Sequence, residues 1–372
     1  MLKKRLAFLL CLLLLFGTLF ACSPKQPSAD QGAQPLTVDG MLRSVLALSC
    51  TALDQSGNAV RTADGSGVIV KLTGQGAYLV TNYHVIQDPF ATEGEPAVCG
   101  RITAAPFGAE QSVAMAASCI WYSKSYDLAL LHIADLSAFP GAAAARIELS
   151  HSASLGEAIF AIGNANGTGL ALHKGAVTRP LEYVSLPLSY ADADVELALI
   201  RYDASVSEGD SGGALFAADG TLLGIVNARR KDGGGGYAIP LQTVLPITER
   251  VLSSAENGSP AASLLRFGAV LEEVSLGTSF DEEQGVLVTD TELRIKELAV
   301  GSVASVFLSE GDALLGLQKN DQERQKLDSR FALESALLSA GAGDRLTFYY
   351  RRDGAEATYT VLVEAIHLET VD

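Results

Sequence analysis

Basic residues are scarce in this chain: 27 Lys and Arg stand against 43 Asp and Glu, for a formal charge of −16 over 372 residues. Lys3, Lys4 and Arg5 sit in an N-terminal leader that holds no acid, so the body that follows it is three units more negative still. That deficit argues against nucleic acid and anionic lipid as electrostatic partners. Metal-ligand patterns are missing as well: there is no CxxC pair, no HExxH helix and no acidic Ca²⁺ loop, so neither a metal nor a cofactor is expected. Cysteine is sparse, and beyond Cys11 and Cys22 only Cys50, Cys99 and Cys119 remain. Export would permit a disulfide, but an odd count leaves at least one thiol alone, and the three lie in or beside apolar runs that suit buried free thiols. What is present is an ordinary globular composition, 48% hydrophobic and 19% charged, with room for two or three domains.

Residues 1–22 combine a cationic start, an apolar run and a small residue before Cys22, the pattern of a secretory leader. Leu19-Phe20-Ala21-Cys22 resembles a bacterial lipobox, which implies a signal peptide over 1–21 and a lipid on Cys22, although Phe20 is bulkier than usual there. An uncleaved signal anchor is the alternative, its apolar run being slightly short for a membrane span. Either reading tethers the body to the membrane, outside the cytoplasm. The stretch 22–40 is rich in Pro, Ser, Gln and Gly and reads as a flexible stalk.

From 41 to 252 short apolar or alternating runs recur between Gly-rich turns, among them VLALSCTAL, GSGVIVKL, AYLVTNYHVI, LALLHI, AIFAIG and LLGIVNA. Many short strands with few helical periods predict a mainly β fold of barrel type. Residues 88–112 carry Pro, Gly and charge without periodicity and read as a surface loop, and the small polar segment 253–263 reads as a linker.

The chemistry concentrates in IRYDASVSEGDSGGALF at 200–216, where Ser211 lies among glycines. A hydroxyl becomes a useful nucleophile when a base takes its proton and backbone N–H groups hold the oxyanion that forms. By itself GDSGG also fits an ordinary Gly-rich turn. Two upstream partners change that. His84 ends the β-rich run YLVTNYH, and an imidazole suits general-base work near neutral pH. Asp127 opens the strand DLALL, where its carboxylate can fix the tautomer of that imidazole. Among the other histidines, His132 lies in a strand, His151 and His173 in loop-like contexts and His367 in the tail; none has a matching constellation. Asp203 is read as a structural hydrogen-bonding residue.

The order His, Asp, Ser is that of the chymotrypsin-like double barrel, and the chain resembles the HtrA (DegP/DegS-like) family of trypsin-fold serine proteases with a C-terminal PDZ domain. The resemblance rests on GSGVIV at 65–70, LVTNYHVI, YDLALLHI, AIGNANG at 161–167, GDSGGALF, LLGIVN at 222–227 and YAIP at 237–240. It implies His84 as base, Asp127 as its orienter, Ser211 as nucleophile, and the N–H groups of Gly209 and Ser211 as the oxyanion hole. Asp210 replaces the Asn common in the family, and Glu208 the Pro. Residues 164–175 and 228–236 are the flexible loops that border and regulate the cleft in that family. Ser205, uncharged at the pocket base, resembles the members that take small or medium aliphatic residues, with Asn227, Ala228 and Arg229 on the strand beside it. Arg229, Arg230 and Lys231 read as a solvated loop.

From 264 to 366 the pattern resembles a PDZ domain, smaller and α+β. Phe267, Gly268, Ala269 and Val270 stand where a peptide carboxylate would bind, and a peptide would add as a strand between 269–271 and a helix at 331–339. C-terminal peptide binding and a scaffold or regulatory role both remain open for this part. The resemblance implies protein or peptide substrates and a homotrimer. The expected function is thus an extracytoplasmic serine endopeptidase. The alternative is a proteolytically silent peptide-binding or chaperone protein that keeps the fold.

Overall fold

The computed structural model describes residues 37–91, 97–109, 113–255, 261–281 and 286–371. The leader, Cys22 and most of the stalk lie outside the described residues. After a short helix α1 (Val38–Leu42) comes a barrel of six strands: β1 (Val45–Leu53), β2 (Ala59–Leu72), β3 (Ala77–Thr81), β4 (Arg101–Pro106), β5 (Met115–Ser123) and β6 (Leu128–Ile133), closed in the order β1-β2-β3-β6-β5-β4. A second barrel is built from β7 (Ala158–Gly163), β8 (Ala171–Leu186), β9 (Val195–Tyr202), β10 (Ala214–Ala217), β11 (Leu222–Arg229) and β12 (Gly236–Pro240), closed in the order β10-β11-β12-β9-β8-β7.

Why these strands are apolar on both faces follows from where each face goes. Along β1, Leu46, Leu48 and Cys50 fill the first barrel, while Val45 and Ala47 belong to a core shared with the second. In β10, Leu215 points into the second barrel and Phe216 into the shared core. With a side-chain period of two, neither face of such a strand meets water. Burying each large aliphatic side chain contributes about 1.5–3 kcal/mol, so the shared core binds the barrels into one body. Helix α2 (Tyr83–Ile86) follows β3, and α3 (Leu241–Ala255) places Leu241, Val244, Ile247 and Val251 in the shared core at helical spacing.

The remaining residues form a C-terminal β-rich domain. Its strands are β13 (Ala262–Leu265), β14 (Ala269–Asp281), β15 (Val286–Leu298), β16 (Ala313–Lys319), β17 (Gln325–Lys326), β18 (Arg345–Arg352), β19 (Ala355–Leu362) and β20 (Leu368–Val371), with helix α4 (Arg330–Leu338) before β18. The main sheet runs β14-β15-β16-β18-β19, so β14 is an edge strand, and β13 pairs with β20. Phe267, Phe307, Phe348 and Leu333 lie in its core. Two polar joints connect it to the second barrel and α3. Arg330 pairs with Glu196 of β9 at 2.5 Å and lies 3.6 Å over the ring of Tyr183 in β8, whose hydroxyl donates to Glu334 at 2.8 Å. Arg250 of α3 donates to the carbonyls of Leu338 and Ala340 at the end of α4.

Three expectations about loops change. Residues 88–112 contain β4, whose Ile102 and Ala104 are buried in the first barrel. Residues 164–175 contain a single turn at Ala165–Gly167 and the start of β8, so His173 lies in a strand. The helix α3 extends to Ala255, into the expected linker. In the first two, small residues hide the alternation: ITAAP and ALHKG carry too little apolar bulk to mark a buried face. Cys50, Cys99 and Cys119 are free thiols. Burial pushes Cys99 up to about 11 and Cys119 up to about 12, so both stay protonated at neutral pH.

Candidate active site

Between the barrels opens a cleft of about 510 Å³ lined by His84, Gly209 and Ser211 together with Arg61, Asp64 and Glu208. His84 is placed by α2, directly after β3, and Asp127 by the turn that enters β6, which pairs with β3. Nδ1 of His84 faces Oδ2 of Asp127 at 2.7 Å, and the His84 backbone N–H donates to Oδ1 at 3.0 Å. Asp127 is fully buried and has φ of +49°, a left-handed conformation uncommon outside glycine. The surroundings hold it there: its carbonyl accepts the Asn82 amide at 2.9 Å and the Tyr83 N–H at 3.3 Å.

Burial disfavours a charged imidazole, but the adjacent Asp127 carboxylate and its hydrogen bond outweigh that, and His84 titrates above its ordinary value. With Nδ1 committed to Asp127, Nε2 is the nitrogen left for proton transfer in the cleft.

The loop bearing Ser211 is fixed largely from the first barrel. Ser66, fully buried on β2, donates its hydroxyl to the Gly209 carbonyl at 2.7 Å and accepts the Asn164 N–H at 2.8 Å. Its own N–H donates to the Ser211 carbonyl at 2.9 Å. The Glu208 carbonyl accepts the Asn166 N–H at 2.6 Å. Two positions in this loop require glycine. Gly209 (φ +89°) would place a Cβ 2.2 Å from the Asn164 carbonyl oxygen, and Gly212 (φ +82°) would place one 2.1 Å from that of Ser66. The Ser211 hydroxyl donates to the Asn227 carbonyl at 2.9 Å.

His84, Asp127, Gly209 and Ser211 are therefore brought to one place. The expected pocket residues are arranged differently. The Asn227 side chain is buried and donates to Oδ2 of Asp127 at 2.6 Å, so it is not a pocket wall as expected but a partner of the carboxylate. Ser205 and Arg229 are exposed and Ala228 is half-buried. Asp203 accepts the Ala176 N–H at 2.6 Å. Ser66, Asn82 and Asn164 escaped the sequence reading. The GSG at 65–67 was the available signal, since a serine between glycines on a strand permits such a close approach.

In the C-terminal domain, Phe267 is buried against Phe348, ring centroids 5.3 Å apart, which corrects its expected role in peptide contact: the ring serves the core. Gly268 (φ +75°) turns the chain into β14, its carbonyl accepting from the Ala299 N–H and the Ser302 hydroxyl. Ala269 and Val270 open the edge strand, paired with Leu298 and Glu297 on β15.

Comparison with known proteins agrees with this architecture. The model of the family described as "Trypsin-like peptidase domain" matches residues 65–225. Serine protease Do-like HtrA of Lactococcus lactis subsp. cremoris is 27% identical over 326 residues, 81% of this chain and 70% of that protein. Its namesake in Bacillus subtilis is 27% identical over 322 residues, 83% of this chain and 65% of that one. Periplasmic serine endoprotease DegP of Escherichia coli is 24% identical over 313 residues, 83% of this chain and 58% of that one. Among solved structures, the HtrA-type protease AlgW with tripeptide superposes with a TM-score of 0.57 at 24% identity, covering 88% of this chain and 94% of that one, a likeness of fold. The chain is a serine endopeptidase whose residues 65–225 match a trypsin-like peptidase domain, and over most of its length it is similar to HtrA-type serine proteases.

Proposed function

We propose that the protein is an extracytoplasmic, membrane-tethered endopeptidase that cleaves unfolded or selected proteins through an acyl-enzyme on Ser211. In this reading His84 takes the Ser211 proton as Oγ attacks the scissile carbonyl. The N–H groups of Gly209 and Ser211 receive the oxyanion, and the same proton passes to the leaving amine as the C–N bond breaks. Water, activated by the same imidazole, then releases the acid. Asp127 holds the imidazole tautomer and stabilises the imidazolium.

The observation that carries the reading is the 2.7 Å contact of His84 and Asp127 in the cleft that Ser211 also lines. The Ser211 hydroxyl rests on the Asn227 carbonyl, so attack begins with a rotation about χ1 that turns it to His84. Casein digestion tests the assignment: the wild-type chain degrades it, and Ser211→Ala, which keeps the fold, does not.

The C-terminal domain acts as a PDZ-like module over 264–366, taking a peptide as an added strand along β14 beside α4, its carboxylate at the turn of Gly268. The edge position of β14 among the described strands supports this. Lipid on Cys22 and the stalk hold the body at the membrane, and the chain assembles as a homotrimer.

A further inference from the structure

The cleft that holds Ser211 carries charges that the catalytic groups do not use. Its first-barrel wall is β2 from Arg61 to Asp64, and Gly167 and Glu208 face it from the second barrel. Side chains alternate along β2, so Asp64 shares a face with Ser66, whose hydroxyl reaches the Gly209 carbonyl at 2.7 Å. Asp64 is thereby turned to the second barrel, and its carboxylate seats against the turn Ala165–Gly167: a Cβ on Gly167 would come within 2.3 Å of Oδ2. Only glycine leaves room for the carboxylate there, and the φ of +65° suits it as well. Glu208 is tied to the same turn, its carbonyl accepting the Asn166 N–H at 2.6 Å.

Both acids are exposed, and among the described residues neither carboxylate has a hydrogen-bond or ion-pair partner. Arg61 does not neutralise Asp64. It lies on the other face of β2 with Ala63 and Gly65, the face on which a Cβ at Gly65 would meet Val85 at 2.3 Å. A second cavity, of about 440 Å³, shares Asp64 and Gly167 with the cleft and extends past them to Ser49, Thr103 and Thr168. Asp64 is the one charged residue in its lining.

The chemistry of the reaction says which part of a substrate lies here. His84 hands its proton to the leaving amine, so the residue after the scissile bond must pass over His84, which lines this cleft. The end of β11, where the Asn227 carbonyl accepts the Ser211 hydroxyl, does not line it and is left to the acyl part.

We propose that this half of the cleft selects protein substrates with lysine or arginine immediately after the scissile bond, and that Asp64 and Glu208 are the residues that select them. A cationic side chain entering here meets the two carboxylates on either side of Gly167 and, beyond them, the hydroxyls of Ser49, Thr103 and Thr168 as further acceptors. The inference rests on the endopeptidase reading of Ser211 and adds the substrate class to it.

The test uses internally quenched peptides that differ only in the residue after the scissile bond, Lys, Arg, Gln or Glu, with the cleaved bond confirmed by mass spectrometry. With wild type, kcat/KM for Lys and Arg exceeds that for Gln by about 5- to 20-fold, two solvent-screened ion pairs each contributing a few-fold, and Glu is the poorest. The Lys-to-Gln ratio falls in Asp64→Asn and in Glu208→Gln, drops to about twofold or less in the double variant, and shrinks in wild type as salt is raised. Equal rates for Lys and Gln, a preference for Glu, or a Lys preference that survives in the double variant would overturn the proposal. A readout independent of cleavage is the binding of the Lys and Gln peptides, amidated at the C-terminus, to Ser211→Ala protein by fluorescence anisotropy. The Lys peptide binds more tightly, and the difference disappears when Asp64→Asn and Glu208→Gln are added; equal affinities for the two peptides would overturn the assignment. A wild-type protein that cleaves none of the peptides would count against the endopeptidase reading and leave the binding result to decide this one.

Discussion

The side-chain amide of Asn227 donates to Oδ2 of Asp127 at 2.6 Å across the seam between the barrels, on the oxygen that also faces Nδ1 of His84. The second barrel therefore supplies more than the nucleophile: it also holds, by a hydrogen bond, the carboxylate carried by the first. Asn227→Ala removes a charge-assisted bond worth about 1.5–3 kcal/mol. It leaves Asp127 with a stronger pull on the imidazole proton. We expect kcat/KM to fall by about 10- to 100-fold, in line with that energy, and the acid limb of the pH profile to move upward. Steady-state kinetics between acid and neutral pH will read both.

His84 itself sets the sign of the acid limb. It acts as base only when neutral, and its titration lies above the ordinary imidazole value, so the rate should rise with pH through a midpoint above about 6.5. For stability, a raised folded value means the His84 contribution is fully present below the unfolded value and is lost as pH rises through the folded one. The melting-temperature difference between wild type and His84→Ala should therefore be largest under acid conditions and shrink as pH rises.

Asp127→Asn separates chemistry from folding. The residue is fully buried with φ of +49°, and asparagine is among the few side chains that tolerate that conformation. The circular-dichroism spectrum should be unchanged while kcat drops by about four orders of magnitude, because the imidazole is then held in the wrong tautomer.

Ser66 deserves the same treatment from the other side of the cleft, because its hydroxyl serves both the Gly209 carbonyl and the Asn164 N–H. Ser66→Ala leaves two buried backbone groups without partners, at about 1–3 kcal/mol each. If Gly209 then drifts, kcat should fall by about 10²–10³ with a much smaller change in KM, the pattern of a lost oxyanion donor. Kinetics with thermal melting will distinguish this from simple unfolding.

Arg330 joins the two parts of the molecule through Glu196 and the ring of Tyr183. Arg330→Ala removes a cation–π contact and an ion pair worth together about 1–2 kcal/mol. Hydrogen exchange should speed up about 5- to 30-fold in α4 and the adjoining parts of β8 and β9, and remain as in wild type within the first barrel.

How much of this was legible beforehand varies with the physics. Ser211, His84 and Asp127 each sit in a string whose neighbours are constrained by the same task, so the strings were readable although far apart in sequence. The two barrels were readable because runs such as VLALSC are apolar at consecutive positions, as strands buried on both faces must be. β4 and the start of β8 were not, because alanine and glycine bury little and leave no period. The Asn227 side chain was assigned to the substrate pocket because a sequence shows that a residue lies near the site, and not which way its amide turns. Ser66 belongs to the same class: its value comes from three hydrogen bonds to residues about 100 or more positions away, which no local pattern encodes.

The central claim is that Ser211 is a nucleophile activated by His84. Labelling the intact protein with a fluorophosphonate and mapping the adduct by mass spectrometry tests it most directly. The account predicts one adduct, on Ser211, that disappears in Ser211→Ala and forms at least about 10³-fold more slowly in His84→Ala. Labelling of a different residue, or a rate on Ser211 unchanged by loss of His84, would contradict it.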